Sequence, residues 1–287
     1  MNFPSSELVL NDKGQVYHLG LLPENISEKI IIVGDQDRVT MVSQNFESIE
    51  HQSQHREFVC HTGNYKGKRI TVLSTGIGTD NIDIVINELD ALVNIDLKKR
   101  IEKDQLTSLD IIRIGTCGIL QPEIPVHSWI LSSHAFGLDN IAHFYDIPFE
   151  NEEKLICQEI VRQIQLPKGI SPYLISSDHT IFERLNSDKV FSGITVTSSG
   201  FYGPQGRQLR LKNQHENLND ALTKFDYKNY RISNFEMESS ALFALGRGLG
   251  HRTGTICLGV ANRPAQQFSK GYNDNMLKLI EYVLERI

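Results

Sequence analysis

Two carboxylates separated by one residue, Glu236 and Glu238, stand just before an apolar helical pattern. Carboxylates are favoured at a helix start because the unpaired backbone N–H groups there carry partial positive charge. The simplest interpretation is a helix start with an acidic first turn. Since positions i and i+2 of a helix lie roughly 200° apart, one carboxylate should face the interior, near Met237 or the following strand. A buried carboxylate needs hydrogen-bond donors, and sugar hydroxyl groups would suit it.

An arginine, Arg113, interrupts the apolar run at 110–114, which leads into Gly-Thr-Cys-Gly at 115–118. Arginine is almost never fully buried without a partner. The run therefore predicts either a structural salt bridge, for example to a glutamate, or an anion ligand at the carboxyl edge of a sheet, where open α/β folds bind ligands. This stretch alone leaves both interpretations open. Thr116 could add a hydroxyl and a backbone N–H to the same anion.

A short apolar run at 29–33 ends in Gly34-Asp35-Gln36-Asp37-Arg38. The pattern predicts a buried strand, a turn and a helix whose N-cap is Asp35. Glycine lets a backbone approach a ligand closely, helix N-termini attract anions, and Arg38 would add charge. Many such turns bind nothing, and neither GxxxxGK[ST] nor GxGxxG is present.

The loop at 198–207 carries two aromatic residues, Phe201 and Tyr202, followed by Gln205 and Arg207. An aromatic ring can stack on a flat ligand, an amide both donates and accepts, and a guanidinium donates in a fixed plane. These groups can read the edge of a nucleobase. The alternative is an ordinary loop rich in glycine and proline.

The elements that would position these residues alternate along the chain. The pattern predicts strands at 29–33, 58–62, 69–73, 110–114, 129–133, 172–177, 193–197 and 254–260, the second and third forming a hairpin. It predicts helices at 152–164, 238–249 and 270–287, and one with an apolar stripe of Ile82, Val85, Ile86, Leu89 and Leu92. Residues 1–287 therefore form one α/β domain. The charged stretch at 96–108 is predicted to be a solvated helix end and loop.

Composition excludes several classes of function. A net charge of −6 argues against a general nucleic-acid binder. The chain has no apolar run long enough for a membrane span and no signal pattern, which predicts a cytoplasmic protein with no membrane partner. The four scattered cysteines are expected to be free thiols, and the ten histidines show no metal-ligand spacing.

Six segments occurring in order carry a resemblance to a known family. The chain resembles the nucleoside phosphorylase-I family over nearly its whole length, from Val16 to Arg263. The matching segments are Gly34-Asp35-x-Asp37-Arg38, His55-Arg56-Glu57-Phe58, Ser74-Thr75-Gly76-Ile77-Gly78, Arg113-Ile114-Gly115-Thr116, Phe201-Tyr202…Gln205-Gly206-Arg207 and Asn234-Phe235-Glu236-Met237-Glu238-Ser239. The resemblance implies a three-layer α/β/α fold with a mixed, partly barrel-like central sheet. It also implies that the charged stretch at 96–108 is a surface insertion relative to typical bacterial members.

The resemblance also implies a phosphate site and shared subunits. Phosphate-binding roles fall on Gly34, Arg38, Arg113 and Thr116, with Arg56 contributed by a neighbouring subunit. The implied assembly is a homodimer, alone or within a hexamer, whose active sites are completed across the dimer.

Ribose-binding roles are implied for Glu236, Met237 and Glu238, with His18 of the neighbour reaching the 5′-hydroxyl. Glu57 would hold a monovalent cation, often potassium, at the dimer interface. Inorganic phosphate is the implied co-substrate, and no other cofactor is required.

The implied base-binding residues are Phe201, Gln205, Arg207 and Arg263. Purine-cleaving relatives carry a Ser-Asp pair where this chain has Ala261-Asn262, so the implied activity is phosphorolysis of uridine, with deoxyuridine as a further substrate, to uracil and the pentose 1-phosphate. Phosphate would attack C1′ through an oxocarbenium-like state. The implied catalytic residues are Arg113, Gln205 and Arg207. A purine nucleoside phosphorylase, a nucleosidase and a non-catalytic nucleoside-binding protein remain as alternatives.

Overall fold

The computed structural model describes residues 2–287. Their β-strands are β1 (Lys29–Val33), β2 (Ser48–His55), β3 (Phe58–Tyr65), β4 (Lys68–Ser74), β5 (Ile95–Asp96), β6 (Ile101–Glu102), β7 (Asp110–Ile119), β8 (Trp129–Gly137), β9 (Tyr173–Ser176), β10 (Val190–Thr197), β11 (Asp226–Tyr227), β12 (Tyr230–Glu236), β13 (Arg252–Asn262) and β14 (Gln267–Phe268). Their α-helices are α1 (Gln36–Ser43), α2 (Thr79–Asn94), α3 (Asn151–Gln163), α4 (His179–Leu185), α5 (Leu218–Lys224), α6 (Ser239–Leu249) and α7 (Asn273–Leu284). Short 3₁₀ helices cover Pro23–Asn25, Ile141–Phe144 and Gly203–Gln205.

Five strands close into a barrel. β12 pairs with β10, β10 with β8, β8 with β13, β13 with β7, and β7 returns to β12. The sheet continues from β7 through β1, β4 and β3 to β2 at its edge. Both parallel and antiparallel pairs occur, so the expected mixed, partly barrel-like α/β fold is confirmed.

The register of three parallel strands positions the loops that follow them. Val33 of β1 pairs with Ser74 of β4 on one side and with Ile114 of β7 on the other. Because parallel strands end at the same edge of a sheet, the turn after β1, the loop after β4 and the last part of β7 lie together.

Strand β1 is buried on both faces, as its continuous apolar run predicts. Ile30 and Ile32 pack in a cluster with α2 and α6, whereas Ile31 and Val33 pack in a second cluster with α1, α4 and α7. A third cluster lies between α3, α5 and the strands β8, β10 and β12. The predicted stripe of α2 is fully buried: Ile82, Val85, Ile86, Leu89 and Leu92.

Two local predictions need correction, and strands β2 and β12, among other elements, were not predicted. The charged stretch after α2 forms the β5–β6 hairpin rather than only a loop, and Arg100 in its turn exchanges hydrogen bonds with Phe3. The last helix spans Asn273–Leu284 rather than 270–287, since the Ser269 hydroxyl donates to Gly271 O at 2.9 Å in a turn that precedes it. Strand β2 was not predicted because its sequence is polar, is largely exposed and shows no apolar alternation.

Two structural facts bear on the predictions from composition. The four cysteines are free thiols, as expected. Between residues 2 and 287, the helices are all too short or too polar to cross a membrane.

Candidate active site

A cavity of about 800 Å³ opens at the carboxyl edge of β1 and β7. Its walls come from the turn after β1, the loop after β4, the second half of β7, the loop after β10, the β12–α6 junction, the end of β13 and the segment after it. The predicted site residues that line it are Gly34, Arg38, Glu57, Arg113, Thr116, Phe201, Gln205, Arg207, Glu236, Met237 and Glu238.

Glu236, the last residue of β12, is buried and fully engaged. Its carboxylate accepts the Thr197 hydroxyl at 2.6 Å and the backbone N–H groups of Glu238 and Ser239 at 3.0 Å, and it lies 3.2 Å from Arg113 Nη1. A carboxylate offers about four lone-pair positions, so these four donors fill it. Glu236, rather than the residue at the N-cap, therefore caps helix α6. One carboxylate was expected to face the interior, and both do, since Glu236 and Glu238 are both buried.

Glu238 has one acceptor position to spare. It accepts the backbone N–H groups of Gly78 at 2.9 Å and Met237 at 3.2 Å, and the Nη2 group of Arg113. With three donors on about four positions, room for one further donor remains. Burial raises the pKa of the Glu238 carboxyl, the charge of Glu236 adds to this, and Arg113 opposes it.

The salt-bridge interpretation of Arg113 is confirmed, whereas its role as an anion ligand stays a prediction. It forms buried salt bridges with Glu236 and Glu238, and its side chain also lines the cavity. Burial alone would lower the pKa of the guanidinium, but the two carboxylates outweigh it, so the pKa is raised and Arg113 stays charged. Its Nη1 also donates to Cys257 Sγ at 3.4 Å, and within residues 2–287 its Nε has no partner.

The turn after β1 has the geometry that its sequence predicts. Asp35 caps α1, accepting the backbone N–H of Asp37 at 3.0 Å. A Cβ on Gly34 would lie 3.3 Å from the carbonyl oxygen of Gly76, so glycine permits the close approach of the loops after β1 and β4. The N-terminus of α1 thus faces the cavity together with Gly34.

Arg38, in the first turn of α1, brings a second buried guanidinium to the cavity. Its Nη1 donates to Ile114 O at 3.3 Å. Burial lowers the pKa of Arg38, and the like charge of Arg113 adds to this effect. A bound anion would offset both, and Thr116 lies on the same wall. The arrangement favours a small polyanion.

Gln205 and Arg207 form a fixed unit in the part of the wall contributed by the loop after β10. Arg207 Nη1 donates to Gln205 Oε1 and to Phe201 O, both at 2.5 Å, and its guanidinium carbon lies 3.6 Å from the centre of the Phe201 ring. Arg263 Nη2 donates to Gln205 O at 3.2 Å. Burial, followed by the like charge of Arg263, lowers the pKa of Arg207 to about 10. One face of Phe201 is therefore occupied by Arg207.

Arg56 and His18 do not line the cavity formed by residues 2–287. The Arg56 guanidinium carbon lies 5.3 Å from the centre of the Tyr17 ring, and His18 Nδ1 lies 2.7 Å from Glu88 Oε1. Their roles across a subunit interface remain predictions. The same holds for a cation at Glu57, and no group of three or more His, Cys, Asp or Glu side chains in residues 2–287 could hold a metal ion.

Three residues that support the site had no role predicted from the sequence: Gly78, Thr197 and Gly115. A Cβ on Gly115 would lie 2.1 Å from Arg113 Nη1, so only glycine leaves space for the guanidinium. The sequence did contain a signal for Gly115, because residues i and i+2 of a strand share a face and Gly115 therefore lies beside Arg113. Thr197 is the last residue of a predicted strand, at the edge where ligands bind, which also could have drawn attention to it.

Residues 28–285 match the model of the phosphorylase superfamily, and the chain therefore belongs to that superfamily. It is 29% identical over 274 residues to the uridine phosphorylase of Thermococcus kodakarensis, covering 93% of this chain and 85% of the relative. It is 28% identical over 236 residues to the DeoD-type purine nucleoside phosphorylase of Oceanobacillus iheyensis, covering 82% of each chain.

Among solved structures, a Trypanosoma brucei nucleoside phosphorylase that shows uridine phosphorylase activity matches with a TM-score of 0.90 and 29% identity, covering 98% of this chain and 99% of that one. The chain thus has the nucleoside phosphorylase fold. Its relatives include both uridine and purine nucleoside phosphorylases.

Proposed function

We propose that the chain catalyses phosphorolysis of uridine to uracil and ribose 1-phosphate. The observation that carries this proposal is the position of Arg113, which lines the cavity while it pairs with both Glu236 and Glu238. One guanidinium thereby lies between the part of the cavity that suits an anion, formed with Gly34, Arg38 and Thr116, and a carboxylate that can accept a sugar hydroxyl. Phosphate and ribose are the ligands that fit these two neighbouring features.

Phosphate is held by Gly34, Arg38, Arg113 and Thr116, with Arg56 of a neighbouring subunit completing the site. Charge-assisted hydrogen bonds from guanidinium groups suit a phosphate dianion. Bound next to the ribose, the dianion stabilises positive charge that develops at C1′, and proximity replaces a bimolecular encounter.

The ribose lies against Met237 and Glu238. The remaining acceptor position of Glu238 takes a ribose hydroxyl, while Glu236 holds Arg113 and the start of α6. His18 of the neighbouring subunit reaches the 5′-hydroxyl, and Glu57 holds a potassium ion at the same interface.

The uracil is read by Gln205 and Arg207, with Arg263 behind them and Phe201 beside them. As a phosphate oxygen bonds to C1′, the C1′–N1 bond breaks and its electron pair leaves with the base. Donation from the Arg207 guanidinium and the Gln205 amide stabilises the uracil anion until solvent protonates it. The enzyme forms no covalent intermediate.

Asn262 supports a pyrimidine over a purine substrate. It stands where purine-cleaving relatives carry an aspartate that protonates the base, and an amide has no such proton to give. The Asn262 side chain is also buried and engaged, because its Nδ2 donates to Gln121 O and Ile124 O and its Oδ1 accepts the N–H of Ala265.

The test is absorbance-monitored cleavage of uridine and of inosine, each with and without inorganic phosphate. We expect uracil release that requires phosphate, with inosine cleaved at least about 100-fold more slowly, since one well-placed hydrogen-bonding group can give such discrimination. Preferred cleavage of inosine would indicate a purine nucleoside phosphorylase. Cleavage without phosphate would indicate a nucleosidase, and binding without turnover a nucleoside-binding protein.

A further inference from the structure

Thr197 is the last residue of β10 and pairs with Glu236 of the neighbouring strand β12. None of the proposed substrate contacts involves it. Its side chain is fully buried. Its hydroxyl donates to Glu236 Oε1 at 2.6 Å and accepts the backbone N–H of Ser240 at 3.0 Å. Since a hydroxyl has a single hydrogen, the Ser240 N–H directs that hydrogen towards the carboxylate.

A second layer of hydrogen bonds fixes Ser240 itself. The Ser240 hydroxyl donates to Asp139 Oδ2 at 2.5 Å, and the Tyr173 hydroxyl donates to Asp139 Oδ1 at 2.8 Å. Asp139 and Tyr173 are both buried. Burial, with the charge of Asp139 adding to it, raises the pKa of Tyr173 well above its usual value, so the phenol remains a donor. Asp139 and Tyr173 therefore hold Ser240 in the position from which its backbone N–H donates to Thr197.

The chain of contacts continues from Thr197 to the cavity. Glu236 Oε1 is held by Thr197, and Glu236 Oε2 lies 3.2 Å from Arg113 Nη1. A rotation of the Glu236 carboxylate would move the oxygen that pairs with Arg113. Buried polar networks of this kind restrict their members to one geometry when every bond is made.

We propose that Thr197 is a positioning residue that, through Glu236, fixes the guanidinium of Arg113 for phosphate, provided that the chain uses phosphate as proposed above. Ser240 and Asp139 keep the hydroxyl of Thr197 aimed at Glu236. Thr197 does not touch substrate, and its effect falls on phosphate rather than on the nucleoside.

Two substitutions at Thr197 separate the hydroxyl from the shape of the side chain. Thr197→Val removes the hydroxyl and retains the branched shape, whereas Thr197→Ser retains the hydroxyl. Thr195→Val is the matched control, because Thr195 lies on the same strand, is fully buried, and bonds to Asn234 and Ser132 instead of Glu236.

The first readout is the rise in unfolding temperature with increasing inorganic phosphate, which reports phosphate affinity without any nucleoside. We expect Thr197→Val to bind phosphate about 10-fold more weakly than the wild type, the size of effect that loss of a hydrogen bond to a charged group gives. Thr197→Ser and Thr195→Val should remain within about threefold of it.

The second readout is steady-state kinetics with uridine. Thr197→Val should raise KM for phosphate about 10-fold and leave KM for uridine within about threefold. A merely structural effect would lower the active fraction, and hence kcat, without changing KM for phosphate.

Unchanged phosphate affinity in Thr197→Val, or an equal loss in Thr195→Val, would overturn the positioning role. If Thr197→Val does not fold, Thr197→Ala decides instead, with Thr195→Ala as its control, since it also removes the hydroxyl that Glu236 accepts: weaker phosphate binding than in the control supports the role and unchanged binding overturns it. Absence of any phosphate effect on the wild type would contradict the proposed function itself, so the two failures are distinct.

Discussion

Arg113 and Glu238, 125 residues apart in sequence, form a buried hydrogen-bonded ion pair at the wall of the cavity. The second carboxylate, Glu236, shares the same guanidinium. An isolated buried charge is costly, so each group requires the others. The triad therefore joins β7 to the β12–α6 junction, the two places where we propose that phosphate and the sugar bind.

Glu238 is predicted to act on the sugar. The two oxygens of the Glu238 carboxylate each accept one backbone N–H, from Gly78 and from Met237. Glutamine has an NH₂ group in place of one of these oxygens, so it cannot accept both donors. We expect Glu238→Gln to raise KM for uridine at least about 10-fold, the effect of losing a hydrogen bond to a charged group. In the wild type, kcat/KM for uridine should decline on acidification, and the decline should begin at a pH above the usual pKa of glutamate. The reason is that burial raises the pKa of Glu238, and the ionised form accepts the sugar hydroxyl. A pH profile of kcat/KM checks the second point, and a wild-type KM in Glu238→Gln would exclude the assignment.

Gly115 is predicted to be required for the position of Arg113. A methyl group at residue 115 would lie 2.1 Å from Arg113 Nη1 and 2.8 Å from Cys257 Sγ, so the guanidinium must move. We expect Gly115→Ala to lower kcat/KM for phosphate about 10- to 100-fold, since small misplacement of a positioning group costs that much. Gly118→Ala on the same strand is the control, because its added Cβ has its nearest neighbour, Arg263 Cγ, at 3.8 Å. Equal phosphate kinetics in the two variants would show that the guanidinium tolerates the methyl group.

Asp110 is predicted to make stability depend on pH. Burial alone would raise the pKa of its carboxyl, but hydrogen bonds and charges from Arg184 and Arg252 outweigh it, so the pKa lies below its usual value. A carboxyl whose pKa is lower in the folded state stabilises the fold above about pH 4, and this stability is lost as pH falls through the folded-state pKa.

Asp110→Asn should therefore lower the free energy of unfolding at pH 7 by about 1–3 kcal/mol and weaken its decline below pH 4. Denaturant unfolding at several pH values measures both. Glu123→Gln, which breaks the half-exposed pair with Arg231, is the comparison and should cost about 0–1 kcal/mol. If the free energy of unfolding of Asp110→Asn declines below pH 4 as steeply as that of the wild type, groups other than Asp110 cause the decline.

Arg56 is predicted to serve the site of a neighbouring subunit. Arg56→Ala and Arg113→Ala should each be nearly inactive, but subunits exchanged between them in a 1:1 mixture should regain activity at about a quarter of all sites, since half of randomly formed dimers contain one intact site. Activity after unfolding and refolding the mixture measures this, with each variant refolded alone as the control. A mixture as inactive as its components would place Arg56 and Arg113 in the same subunit's site.

The sequence predicted the types of group in the site better than their partners. The turn at Gly34, the cap at Asp35 and both arginines were identifiable, because local spacing determines turns, caps and strand ends. The pairing of Arg113 with two carboxylates depends on β7 and β12 meeting as the barrel closes. Local periodicity contains no information about that contact, so the sequence alone left a salt bridge and an anion site as alternatives.

Strand β2 and the β5–β6 hairpin were missed for a related reason. Exposed edge strands carry polar residues, so β2 lacks the alternation by which strands are found. Thr197 and Gly115 act by fixing or giving space to another side chain, and a role of that kind depends on tertiary contacts.

The proposed role of Arg113 is tested by uracil formation from uridine by the wild type and by Arg113→Ala over a range of phosphate concentrations. We expect the wild type to depend on phosphate, and Arg113→Ala to lose about 100- to 1,000-fold in kcat/KM for phosphate, as removal of one preorganised donor does in other enzymes. Uracil formation by Arg113→Ala at close to the wild-type rate and phosphate dependence would contradict that role.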